Sequence, residues 1–172
     1  MVLSIHRNMN RKHSKKAIGA DNQQERLKFV EGWLVGFTDG EGCFSVSIIR
    51  NSTTKLGWQV FPEFVITQSA KSIKSLEQVR EFFGIGKIFI NQRYDNHNAN
   101  LYRYCVRSLT DLNTKIIPFF DKHRLQTAKK QDFKIFKRIV SLMIQKKHLS
   151  KDGMQRIAKL IQTMNKQKPQ DF

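Results

Sequence analysis

Glu31-Gly32-Trp33-Leu34-Val35-Gly36-Phe37-Thr38-Asp39-Gly40-Glu41-Gly42 is the stretch on which the reading of this chain turns. Upstream and within it, Leu27, Val30, Leu34 and Phe37 recur at helical spacing, and Asn22 with Glu25 resembles a capping pair. A helix is therefore expected over about 22–39, stopped by Gly40 and Gly42. Gly32, Gly36 and Gly40 fall at i, i+4 and i+8, on one face of it. Each interior glycine costs about 1 kcal/mol relative to alanine, so three in register imply a second helix whose backbone lies against them. Asp39 and Glu41 then stand at or just past the negative end of the helix dipole, where each acid is misplaced by about 0.3–1 kcal/mol. A bound divalent cation reverses that sign. Hard carboxylate oxygens favour Mg2+, with Mn2+ or Ca2+ as substitutes.

Beyond the motif the pattern alternates. Phe44, Val46 and Ile48 share one face of a strand, with Ser45, Ser47 and Ile49 on the other. Residues 51–57 read as a polar turn and Trp58–Gln68 as a second strand, with Pro62 marking an edge position or a bulge. A helix from near Ser72 ends at Gly84-Ile85-Gly86, and a second hairpin joins Lys87–Arg93 to Leu101–Arg107. A helical stretch opens near Ser108 and reaches Pro118-Phe119-Phe120. A longer helix comes next with Phe133, Phe136, Ile139, Val140 and Met143, and a last one after Ser150. The order predicts an α+β fold, an αββαββα core with one four-stranded antiparallel sheet and helices on a single face, plus C-terminal helices. Residues 1–20 read as a basic arm without structure, 21–147 as the core and 148–172 as a helical extension.

The composition bounds the partner. Thirty-one Lys and Arg against 14 Asp and Glu leave a net charge of +17 on 172 residues. Charge of one sign in that amount calls for a polyanion, and nucleic acid is the default because neutralising phosphates releases counterions. No apolar run reaches the length of a membrane span, and the basic N-terminus lacks the apolar centre of a secretory signal. The expectation is a protein that is not secreted and needs no membrane or small-molecule substrate, acting in a bacterial cytoplasm or nucleoid or in an organelle matrix. Cys43 and Cys105 lack metal-binding spacing and read as strand residues, and the five scattered histidines disfavour a zinc site.

The open face of the sheet is the natural place for a duplex. Strand alternation puts Ser45, Ser47, Asn51, Gln59, Glu63, Lys87, Asn91, Arg93 and Arg103 there as candidate base contacts, with Lys55 near phosphates. A strand of about nine residues spans ~30 Å, or about nine base pairs per subunit and ~18–20 per dimer.

Leu34-Val35-Gly36-Phe37-Thr38-Asp39-Gly40-Glu41-Gly42 resembles the nine-residue signature of the LAGLIDADG homing endonucleases, with the acid in the penultimate position. The element order, Ile66-Thr67-Gln68 and Ile117-Pro118-Phe119-Phe120 are also similar to that family, over residues 22–145. The resemblance implies that Glu41 is the metal ligand and that Gly40 lends its carbonyl. It implies that Gln68 positions a metal-bound water and that a lysine after the Pro-Phe-Phe segment stands near that water. Lys129 fits by helix phase, with Lys130 as the alternative. The basic residue often found just after the glutamine is replaced by Ser72 between Lys71 and Lys74. Because the motif occurs once, the resemblance implies a homodimer packed through Gly32, Trp33, Gly36, Phe37 and Gly40, cutting both strands of a pseudo-palindromic DNA site. An intron-encoded origin is part of the same implication. An RNA-binding intron maturase and a DNA-binding regulator remain alternatives on the same fold.

Overall fold

A computed structural model of the chain describes residues 10–91 and 100–164, with side chains from residue 22 onward. The helix α1 spans Asn10–Glu41 and runs directly into strand β1, Gly42–Arg50. It begins at Asn10, well before Asn22, so Asn22 and Glu25 lie inside it and form no cap, and the stretch expected to be an unstructured arm is helical from Asn10 onward. Residues 10–20 are rich in Lys, Arg and Ala, which favour helix, but carry no apolar period for a pattern reading to detect. The expected apolar stripe also differs, since Leu27 and Val30 remain 52% and 37% exposed. The chain divides into two compact units, one ending at Leu34 and the other beginning at Val35. The sheet and every helix after it belong to the second unit.

Strand β2 (Trp58–Ser69), helix α2 (Ile73–Phe83), and strands β3 (Lys87–Asn91) and β4 (Leu101–Val106) complete the two hairpins. The sheet has the order β1-β2-β4-β3 and is antiparallel throughout. Pro62 sits opposite Val46, whereas pairing of β2 with β4 starts only at Phe64. The proline thus occupies the half of β2 that has one neighbour, where its missing N–H costs no ladder bond on the second side.

One face of this sheet is the core. Phe44, Val46, Ile48, Val60, Phe64, Ile66, Tyr104 and Val106 are buried there. Helices α3 (Leu109–Asp111), α4 (Ile117–Lys122) and α5 (Lys129–Ile144) come after the sheet, with a π turn at Leu112–Ile116 between the first two. Pro118 has no N–H to return to the preceding turn, and it sits in the first turn of α4, where that loss is tolerated. The Phe44 ring packs on Phe64, Phe120, Phe133 and Phe136 at centroid separations of 5.0, 5.4, 5.1 and 5.4 Å. Edge-to-face and offset contacts of this kind add to the area term of burial. Helix α6 (Lys151–Gln162), capped by Ser150 accepting from the Gly153 N–H, lies against α5 and β1. The expected α+β architecture is the one observed.

Close approach dictates Gly42, Gly86 and Gly153, the last of which would put a Cβ 1.8 Å from the Lys147 carbonyl oxygen. A Cβ on Gly42 would lie 2.6 Å from Thr38 Cγ2 and 2.8 Å from the Thr38 carbonyl oxygen, because the chain leaves α1 and enters β1 without a loop. Gly86 has φ +79 and faces the Tyr104 ring, which an added Cβ would meet at 2.7 Å. Backbone lies on one side of the Gly42 clash, so it cannot be relieved by a rotamer change. Gly42→Ala is expected to cost about 1–3 kcal/mol, the range for forcing a methyl into filled space, read as a lower urea midpoint at unchanged m-value. An unaltered midpoint would mean that the helix-to-strand junction yields freely.

Candidate functional site

The end of α1 and the start of α5 hold each other. The Asp39 carboxylate accepts hydrogen bonds from the Gln126 N–H at 2.7 Å, the Thr127 N–H at 3.2 Å and the Thr127 hydroxyl at 2.7 Å. In return the Lys129 ammonium donates to the carbonyl oxygens of Asp39 at 2.8 Å and Gly40 at 3.2 Å. Each contact places charge where a helix end wants it: an acid before the positive end of α5, a cation on the negative end of α1. Asp39 is therefore not a misplaced acid awaiting a metal. It serves the backbone in front of α5, a partner 87 residues away that no local pattern reveals. Burial raises the Asp39 carboxyl, but the hydrogen bonds from Gln126 and Thr127 and the charge of Lys129 outweigh it. The group ends below its ordinary value of 3.8.

Glu41 has a different fate. It is exposed and makes no hydrogen bond or ion pair with any described residue. Of the two acids in the motif, it is the one left free to hold something else. Lys129 is half-buried beside it, whereas Lys130 is exposed and donates through its backbone to Thr127. Gln68 is half-buried near the end of β2. Gly42 pairs with Ile66, so the register carries Gln68 to the same end of the sheet as Glu41. Hard oxygens at a helix C-terminus suit a divalent cation, and the ammonium on the Gly40 carbonyl demonstrates that this end accepts positive charge. Yet among the described residues no group of three His, Cys, Asp or Glu is placed to hold a metal. Gly32, Gly36 and Gly40 are exposed, and a Cβ on any of them would meet nothing within 4 Å. The close contact that the glycine stripe implies is not made among the described residues. Trp33 and Phe37 are half-buried.

The other face of the sheet carries the remaining candidates. Ser45 stands opposite Glu63, Ile49 opposite Gln59, and Arg103 opposite both Thr67 and Phe89. Lys87 and Asn91 share the face by the same pairing, paired with Cys105 and Leu101. Ser47 pairs with Phe61. Lys55 and Gln59 are exposed. Asn51 builds the turn: its Oδ1 accepts from the Thr53 N–H and hydroxyl, and its Nδ2 donates to Gln59 Oε1 at 2.8 Å. Arg93 lies outside the described residues. Glu63 departs most from its expected role, being only 7% exposed and ion-paired to Arg103 and Arg107. Arg107 went unselected in the sequence, although the alternation that picks out Arg103 continues to it. Its guanidinium lies 5.5 Å from the Phe61 ring and 5.1 Å from the Phe89 ring. The Glu63 hydrogen bond pushes its already high pKa upward. The face is thus not uniformly polar, because Phe61, Phe89 and Ile49 interleave with the charges.

Known proteins match this arrangement. A model of the LAGLIDADG endonuclease family matches residues 34–140. The probable intron-encoded endonuclease 2 of Neurospora crassa is 39% identical over 127 residues, 73% of this chain and 27% of that protein. The crystal structure of the homing endonuclease I-TnaI is 41% identical with a TM-score of 0.70, covering 78% of this chain and 87% of that one. I-SmaMI bound to an uncleaved DNA target in the presence of calcium ions is 36% identical with a TM-score of 0.72, covering 79% of this chain and 45% of that one. This chain spans little more than a quarter of the Neurospora protein and most of I-TnaI.

The Asp39 contact has a pH signature. A carboxyl whose folded pKa is depressed adds stability above its unfolded value, and that stability is lost as pH falls through the folded one. Asp39→Ala should cost about 1–2 kcal/mol near neutral pH, the range for removing an acceptor of helix-start N–H groups. In urea denaturation the gap from wild type should close as the pH falls below 3.8. A gap that persists unchanged in acid would locate the loss elsewhere than in the carboxylate.

Proposed function

Since the chain belongs to the LAGLIDADG endonuclease family, we propose that it is a site-specific DNA endonuclease that hydrolyses phosphodiesters with a divalent metal. It works as a homodimer on a long pseudo-palindromic site. The observation that carries this is the division of labour at the end of α1. Asp39 is consumed by structure, and Glu41 is exposed and unpaired beside a lysine held on the same helix end.

One copy of this site is half a site. A single Glu41 and the Gly40 carbonyl are too few oxygens to hold a catalytic cation, and the described residues add no further ligand cluster. A second α1, packed on the bare glycine face, brings a second Glu41 across a two-fold axis. I-SmaMI, covered by this chain over 45% of its length, binds DNA with calcium present, which supports DNA and a divalent ion here. A divalent cation bound there would supply Lewis acidity to the scissile phosphate and lower the pKa of a coordinated water. Glu41 would hold the cation, with the Gly40 carbonyl as a neutral oxygen ligand. The Gln68 amide orients the attacking water, and the Lys129 ammonium offsets charge that builds on the phosphate. The open sheet face lies along the duplex, with Ser45, Ser47, Gln59, Lys87 and Asn91 toward bases and Lys55 toward phosphate. Mg2+ is the ion expected from hard oxygen ligands, with Mn2+ or Ca2+ as substitutes. Action in an organelle matrix, or in a bacterial cytoplasm or nucleoid, is the location this reading carries, and likeness to an intron-encoded relative supports it. No described helix is long and apolar enough to cross a membrane.

Two measurements test this. Glu41→Gln should abolish cleavage of a selected target while sequence-specific binding persists, because the carboxylate holds metal and not bases. Cleavage within tenfold of wild type would remove Glu41 from the chemistry. At Gly36 a Cβ meets no described atom within 4 Å, and Gly36→Leu improves helix propensity. It should therefore leave each subunit folded and turn the dimer into a monomer in sedimentation. A Gly36→Leu protein that still sediments as a dimer would place the subunit contact elsewhere.

A further inference from the structure

Glu63 is an anomaly on the open face. It and Thr38 are the polar side chains buried among the described residues, and Glu63 alone of the two carries a charge. A buried carboxylate is costly unless it is fully paired. Here Oε1 accepts from Arg103 NH2 at 3.1 Å and Oε2 accepts from Arg107 Nε. The cluster keeps one net positive charge and faces the side where a duplex would lie.

The two arginines are held by different nitrogens, and this decides what each is able to read. Arg103 engages NH2, the nitrogen common to both two-pronged faces of a guanidinium. Arg107 engages Nε, which leaves its end-on pair, NH1 and NH2, without a hydrogen bond to any described residue. Arg107 is also flanked by the Phe61 and Phe89 rings, and its side chain is 43% exposed. A guanidinium tied at its base and packed between two rings has lost its rotamer freedom before any ligand arrives, so binding costs it little entropy.

We infer that Arg107 is the specificity-determining arginine of the open face, presenting NH1 and NH2 as a fixed fork to N7 and O6 of one guanine in each half-site. Glu63 is its positioning residue, and Arg103 contributes charge toward the phosphates. The inference rests on the open face lying against DNA, and it reverses the roles that strand alternation alone assigns. A bidentate arginine–guanine contact discriminates against other bases by about 10- to 100-fold. A point-charge contact to phosphate discriminates against none.

The test is selection from a randomised duplex DNA library at two salt concentrations, with sequencing of the bound fraction. The proteins are wild type, Arg107→Ala, Arg107→Lys, Arg103→Ala, Glu63→Gln and Lys55→Ala, each the full 172-residue chain. Arg107→Ala should flatten the guanine preference at a single position per half-site by about 10- to 100-fold, leaving the other positions as they were. Arg107→Lys should only reduce it, since an ammonium also donates to guanine but lacks the planar fork. Arg107→Lys should retain the salt slope. Glu63→Gln keeps the shape and should blur that same position only, which a merely structural role would not do. Arg103→Ala should weaken all sequences alike and lower the salt slope by about 1. A guanine preference that survives in Arg107→Ala, or an even loss across positions there, overturns the inference and leaves the open face as the DNA surface. If Lys55→Ala, Arg103→Ala and Arg107→Ala all select and bind as wild type does, the placement of DNA on this face fails with it.

Discussion

A carboxylate and an ammonium, exchanged between the end of α1 and the start of α5, fasten the two elements on which the site depends. Asp39 satisfies N–H groups in front of α5, and Lys129 answers by covering the last carbonyls of α1. Each helix end on its own is a cluster of unsatisfied groups with about half a charge. Joined, they neutralise one another. The direct passage from Glu41 into β1 then has no slack, since a Cβ at Gly42 would overlap Thr38. The backbone that carries Glu41 is thereby held against the start of α5, while its exposed carboxylate makes no hydrogen bond or ion pair with any described residue. The chemistry proposed for it would draw on that held backbone, because catalysis by positioned charge depends on where the charge is anchored.

The same logic of paired charge runs across the open face, with a different outcome. On the core face, packing is aromatic and continuous, with Phe44 touching Phe64, Phe120, Phe133 and Phe136. On the open face, Glu63 sinks between two arginines and gives up nearly all contact with water. An acid on a surface that meets phosphates is unfavourable by simple coulombic reckoning. Its presence makes sense as an orienting device, since a free arginine carries about 2 kcal/mol of rotamer entropy. Were a duplex to lie on this face as proposed, net charge would draw it in from a distance and fixed geometry would distinguish one sequence from another.

Much of this is legible in the amino-acid sequence alone. Strand alternation assigns Phe44, Val46 and Ile48 to one side and Ser45 and Ser47 to the other, because a half-buried antiparallel sheet forces a period of two. The glycine breaker after α2, the Ser108 and Ser150 caps and the element order are all local signals. What escapes is either non-local or unpatterned. The Asp39–Thr127 bond joins positions 88 residues apart. Residues 10–20 form helix from propensity without an apolar stripe, so periodicity is blind to them. Glu63 reads as an exposed contact because alternation gives the face but not the neighbours, and only the β2–β4 register shows which arginine side chains converge on it. Lys129 is separable from Lys130 by helix phase, yet the carbonyls that receive it belong to another element.

Two acids two residues apart thus end in opposite states, and the difference explains why the motif reads as incomplete. Asp39 points back toward its own fold and its charge is spent on three donors. Glu41 points out with none. Evolution toward stability alone would not keep an unpaired acid at the negative end of a helix, where it is repelled by the carbonyls beside it. Nor would it keep Gly32, Gly36 and Gly40 where a Cβ meets no described atom within 4 Å and most residues would strengthen the helix. Both costs disappear under one condition. On the proposed reading a second helix would lie on the glycines, and its own Glu41 would come close enough for a cation between the two acids to turn repulsion into binding. The exposed acid and the bare glycines would then be two halves of one requirement.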